Sequence, residues 1–169
     1  LTWLIVRDYP HSAIQTTPKR HLKDEWRRLY EVLKHGYTWS IGLYSFCIWT
    51  PIAVFAALWC VPYLEQKMHV SLLVASGLSS MIWIGIGVGS PLLGLVSDYF
   101  CSRRLALGLS AVIGILACFY VMYIPASSMM AMSVALFFFG VGAGGQTVSF
   151  AVINENNPHD LVGSASGFN

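Results

Sequence analysis

The stretch Gly94-Leu-Val-Ser-Asp98-Tyr-Phe-Cys-Ser-Arg103-Arg104 brings one carboxylate and two guanidinium groups close to a glycine. Gly94 and Asp98 are four apart and share one face of a helix. A glycine there admits a neighbouring helix at short range, and the carboxylate can sit at that neighbour's N-terminus or pair with a basic group. Arg103 and Arg104 can reach acidic side chains or lipid headgroups. Contacts of this kind form in one conformation and break in another, which is the chemistry of a gate. The same residues also suit an anchoring loop whose positive charges hold the chain at a membrane surface.

A second group of polar side chains lies inside otherwise apolar sequence: Tyr44, Trp49, Thr50, Gln146 and Thr147. Gln146 stands out, because an amide in an apolar medium is costly unless it is hydrogen-bonded. It can serve a bound solute or a bond between helices. Gly140-Val-Gly142-Ala-Gly144-Gly145 has the form G-x-G-x-x-G, yet a dinucleotide site needs a strand before it and an acidic residue about 20 positions on. These glycines sit inside an apolar run, which points to helix packing or a flexible point. The cysteines Cys47, Cys60, Cys101 and Cys118 form no C-x-x-C pair and suggest neither a disulfide framework nor a zinc site. His11, His21, His35, His69 and His159 all lie outside the apolar runs. No catalytic set, metal centre or cofactor is read, and a net charge of +2 carries no nucleic-acid signal.

The elements that hold these residues follow from charge. Charged residues make up 11% of the 169, against about 25% in soluble domains. Hydrophobic residues make up 56%. Residues 38–64, 72–97, 105–124 and 129–153 contain no Asp, Glu, Lys or Arg. Runs of about 20 apolar residues are candidate membrane spans. Pro51 should kink the first, and a polar turn at 65–71 should end it. The second carries Gly85 and Gly89 in G-x-x-x-G spacing and a further small stripe at Ser90, Gly94 and Ser97. Such stripes let helix backbones approach closely in lipid. Pro125–Ser128 is so short a link that the third and fourth spans must be antiparallel neighbours. The fourth has its own stripe at Gly140, Gly144, Thr147 and Ala151. Residues 1–6 read as the end of a preceding span and 162–169 as the start of a further one, so the chain reads as a fragment.

Residues 7–37 form a polar connector. Thr17 and Pro18 suit a helix start, and Leu22, Trp26, Leu29 and Leu33 then fall on one stripe. That helix can lie on the membrane surface or pack on the protein's own face. Of the ten Lys and Arg residues, nine fall on the connector's side of the spans and only Lys67 on the other. The positive-inside rule places residues 7–37 in the cytoplasm. Trp3, Tyr37, Trp39, Tyr120 and Tyr123 suit an interfacial aromatic belt.

The segment from Gly94 to Arg104 resembles the loop signature of the major facilitator superfamily, G-x-x-x-D-R/K-x-G-R/K-R/K. Gly94, Asp98 and Arg103 match, and Arg104 extends the basic pair. Tyr99, Cys101 and Ser102 depart, where the pattern has a basic residue, a glycine and a basic residue. A tight turn at Cys101 would therefore lack its usual glycine. Leu4-Ile-Val-Arg-Asp-Tyr-Pro10 resembles the end of the family's sixth helix. Glu155-Asn-Asn-Pro158-His-Asp-Leu-Val-Gly163-Ser-Ala-Ser-Gly167 resembles its loop into helix eleven.

The resemblance implies an all-α, polytopic transmembrane helix bundle, part of a 12-helix fold, with the four spans as helices seven to ten. It implies a secondary transporter that moves a small polar solute by alternating access, with a cavity between two six-helix halves. Gly94, Asp98, Arg103 and Arg104 would form the gate, and Tyr44, Trp49, Thr50, Gln146 and Thr147 would be substrate-cavity candidates. No span holds an ionisable Asp, Glu, Lys, Arg or His, so a proton symporter would keep its carrier elsewhere. The implied partners are the lipid bilayer, the solute and the missing N-terminal half. The implied location is the plasma membrane, or the inner membrane of a bacterium. A membrane sensor or assembly subunit that keeps the fold without transport is the alternative, and the departures at Tyr99, Cys101 and Ser102 are what speak for it.

Overall fold

The computed structural model describes residues 30, 33–125, 128–157 and 161–169. The preceding-span segment 1–6, most of the connector helix expected from Thr17 to a stop at Gly36, and Pro158, His159 and Asp160 lie outside the described residues; Gly36 opens a helix rather than ending one.

Helix α1 (Gly36–Pro51) runs into a π-helical stretch, Ile52–Trp59, and then α2 (Cys60–Met68). Together they form one apolar segment of 33 residues. Helix α3 (Leu72–Tyr99) and α4 (Arg103–Tyr123) are the second and third. Helices α5 (Met129–Ala143) and α6 (Gly145–Glu155) form the fourth, and α7 (Val162–Phe168) closes the chain. The four segments are long and apolar enough to cross a membrane. Even the shortest, of 21 residues, reaches about 31 Å at 1.5 Å per residue, against a hydrocarbon core of about 30 Å.

Two local features go beyond the sequence reading. At Pro51, where a kink is expected, the helix changes its winding. Proline has no N–H to return to the preceding turn, and the chain widens instead into the π stretch, closed by a bond from Cys60 N–H to the Phe55 carbonyl. The polar turn expected at 65–71 is helical as far as Met68. Glu65, Gln66 and Lys67 are good helix formers, and reversal waits for His69 in the left-handed region at φ 53°. Lys67 is also held. Its Nζ donates to Tyr63 Oη at 2.9 Å and to the carbonyls of Val121 and Met122. Tyr63 Oη donates to the Val121 carbonyl at 2.8 Å. These contacts satisfy carbonyls that the last turn of α4 leaves without helical partners.

The fourth span is the centre of the bundle. Of its apolar stretch 67% is buried, against 22–33% in the other three. The glycine stripes make this possible. A Cβ on Gly89 would lie 2.6 Å from Val141 Cα, and one on Gly144 2.6 Å from the Ser90 nitrogen. Gly85 and Gly140 face each other's helix with no room for a side chain. On the opposite flank a Cβ on Gly142 would lie 2.6 Å from Gly114 Cα. The G-x-G-x-x-G run is therefore a packing surface on two sides of one helix, and no strand precedes it among the described residues. Around the outside, Leu73, Ile115, Leu116 and Phe119 are exposed, the arrangement a helix bundle takes when its solvent is lipid.

Candidate functional site

The polar groups collect at two levels. The first is where α3 passes into α4. Helix α3 ends in two bonds, from the Ser102 N–H to the Ser97 carbonyl and from the Cys101 N–H to the Asp98 carbonyl. That is a Schellman motif, which needs a left-handed residue at the position of Cys101. Cys101 takes φ 46°. The tight turn left without its usual glycine is made all the same, by a cysteine. Ser102 then caps α4 by accepting from the Leu105 N–H.

The turn places Arg103 between two carboxylates. Its Nη1 donates to Asp98 Oδ1 at 2.6 Å and to Ser97 Oγ at 2.9 Å. Its Nη2 donates to Glu155 Oε1 at 2.8 Å, and Nε to Glu155 Oε2 at 3.4 Å. One guanidinium thus grips Glu155 with two nitrogens, the geometry in which arginine binds carboxylates most firmly. It ties the ends of α3, α4 and α6 together. Ser97 is 1% exposed and forms the fixed floor. The Asp98 and Glu155 side chains are 68% and 50% exposed. Ion pairs that open to water contribute about 0–1 kcal/mol each, so this clamp can release at small cost.

Glu155 was not among the gate residues read from the sequence. It lies 52 positions from Arg103, but it is the first charge after the fourth span, and an antiparallel helix must return that end beside the start of the third. Gly94 differs from expectation: a Cβ there meets nothing within 4 Å. The close approaches on α3 fall at Gly85 and Gly89, because those face the fourth span, whereas Gly94 faces no described element. Arg104 is exposed and makes no ion pair among the described residues. Nearby, Asn156 Nδ2 donates to Tyr37 Oη at 3.3 Å, linking span one to span four at the same level.

The second level lies deeper, beside the α5–α6 break at Gly144. Tyr44 and Ser45 straddle the fourth span. Tyr44 Oη pairs with Ser110 Oγ on α4, and a Cβ on Gly145 would lie 2.5 Å from that hydroxyl. Ser45 Oγ donates to Asn169 Oδ1 at 2.6 Å and lies 3.0 Å from Ser149 Oγ. Asn169 Nδ2 donates to Ser149 Oγ at 3.0 Å, and Ser149 Oγ to the Gln146 carbonyl at 2.8 Å. Ser45, Ser149 and Asn169 are additions to the sequence reading. A serine in an apolar run is too common to flag, and only the fold shows that two of them meet.

The structure distributes the cavity candidates unevenly. Tyr44 lines a cleft of about 210 Å³ with Ser110, Phe139 and Gly142. Thr50 lines a different, apolar cleft of about 280 Å³ with Phe55 and Val121. Trp49 borders neither and is exposed. Thr147 is exposed and its hydroxyl bonds back to the Gly144 carbonyl at 2.8 Å. Gln146 Oε1 is buried and has no hydrogen-bond partner among the described residues.

Comparison with known proteins places this architecture. The chain is similar to the protein named "Probable galactarate/D-glucarate transporter GudP" from Pseudomonas putida, with 25% identity over 173 residues. The match covers 96% of this chain and 37% of that relative, so the chain spans little more than a third of the relative's length. No solved structure matches it. The Major Facilitator Superfamily model matches residues 1–169. With its four apolar segments and a family match across residues 1–169, the chain belongs to the Major Facilitator Superfamily and is an integral, multi-pass membrane protein.

Proposed function

We propose that the chain forms most of the second half of a secondary active transporter in the plasma membrane, and that it moves a small polar solute by alternating access. The observation that carries this reading is Arg103 held between Asp98 and Glu155 at the ends of three helices. The clamp is strong in geometry and weak in energy, as a link that must form and break in each cycle requires. It lies on the side that the basic residues mark as cytoplasmic. The galactarate/D-glucarate relative suggests a hydroxylated organic acid as the solute. If protons drive uptake, their carrier lies in the first half or beyond residue 169, because these spans hold no Asp, Glu, Lys, Arg or His.

The test is uptake of labelled galactarate into vesicles carrying the intact transporter. Asp98→Asn and Glu155→Gln should each slow turnover at least tenfold with the protein amount in the membrane unchanged. A sensor or assembly subunit that keeps the fold would show no uptake. An anchoring loop would leave turnover as it was in both variants.

A further inference from the structure

We infer that Gln146 is the residue with which this half of the transporter reads a substrate hydroxyl, selecting polyhydroxylated acids over acids of the same charge and length that lack hydroxyls. This rests on the transporter reading above and narrows it to a substrate class.

Gln146 occupies the first turn of α6, just beyond the break at Gly144. It stands nine positions before the end of that helix at Glu155, about 14 Å at 1.5 Å per residue. The amide therefore stands well inside the span. Its Oε1 is the one buried side-chain oxygen or nitrogen among the described residues that lacks a hydrogen-bond partner. The neighbouring polar groups are already engaged. Thr147 bonds to the Gly144 carbonyl, and Ser149 bonds to the Gln146 carbonyl while receiving Asn169. Ser45 bonds to Asn169, and Tyr44 to Ser110. None of them can turn to the amide without giving up a bond of its own.

An unpaired amide in a low-dielectric interior is a net cost that a leucine or methionine of similar size would avoid. A donor that arrives from outside the described residues removes the cost. The spans contain no Lys, Arg or His to supply it. With the amide placed as it is, an ionised carboxylate only accepts and cannot satisfy Oε1, whereas a hydroxyl can donate to it. The position also suits contact with a solute. Gln146 lies just beyond Gly142 and Ala143, which line the cleft that Tyr44 and Ser110 border, without itself lining that cleft. A site built around a substrate hydroxyl rejects the analogue without it far more strongly than an apolar pocket discriminates between shapes.

The experiment compares galactarate with adipate, the six-carbon diacid without hydroxyls, on the intact transporter and on Gln146→Leu. Uptake competition should show wild-type protein preferring galactarate. In Gln146→Leu the KM for galactarate should rise tenfold or more while inhibition by adipate stays the same or improves. An unchanged galactarate KM overturns the inference. So does an equal loss for both acids, which would mean that the amide serves another helix. Thermal protection of the purified protein by each acid, read in parallel, separates this inference from the transport reading. Hydroxyl-dependent protection that Gln146→Leu abolishes supports the role of the amide even where no turnover is seen. Wild-type protein protected equally by both acids, or by neither, overturns it.

Discussion

Cys101 shows how one residue records a compromise. The turn between α3 and α4 needs a left-handed residue, and a side chain with a Cβ is disfavoured there by about 1–2 kcal/mol. The turn persists because the Schellman bonds, the Ser102 cap and the Arg103 contacts all depend on it. Cys101→Gly should relieve that strain, less about 0.5–1 kcal/mol for the greater freedom of glycine in the unfolded chain. The expected result is a gain of up to about 1.5 kcal/mol, read as a higher melting temperature in detergent. A lower melting temperature would show that the thiol contributes packing the turn relies on. Arg103 makes the opposite point. Its partners are half open to water, so its importance lies in which helices it connects rather than in how tightly it holds them.

At the level of helices, the second and fourth spans are matched surfaces. Gly89 meets Val141 and Gly144 meets Ser90 at separations that exclude any side chain. Gly142 and Gly114 do the same for the third and fourth. Gly142→Ala should force the helices apart and cost about 1–3 kcal/mol, the usual range for overpacking. Gly94→Ala should leave stability unchanged or raise it slightly, since no neighbour stands there and alanine is the better helix former. Melting temperatures of the two variants side by side check the contrast, and equal losses would contradict the packing described here. The first span adds a different device. Pro51 opens a π stretch, and Lys67 with Tyr63 ties the segment beyond it to the end of α4.

On the scale of the molecule, one helix is buried by the other three while their outward faces remain apolar. That arrangement suits a lipid solvent and sets the Arg103 clamp at one end of the central helix, opposite the Lys67 contacts. A cavity between two halves needs both halves, and this chain spans 37% of the relative it matches. Vesicles that contain only these 169 residues should therefore show no galactarate uptake above empty vesicles. Measurable uptake would overturn the two-half reading.

Much of this architecture was legible in the residues themselves. The spans could be located because charge is excluded from hydrocarbon whatever the packing, and the four charge-free runs begin and end within four residues of the helical segments. That Asp98 and Arg103 share one short turn was legible, but the residues left their partners open, and the fold joins them to each other. The role of Glu155 was not legible, nor was the meeting of Ser45 with Ser149, because each depends on residues more than 50 positions apart arriving at one place. The sequence likewise marked Gly94 beside Gly85 and Gly89 as equal members of a helix's small residues. Composition determines that a helix has a narrow face and that its solvent is lipid. Which narrow face receives a neighbour, and which buried amide is left without a partner, depends on how the helices cross, and only the tertiary structure decided that.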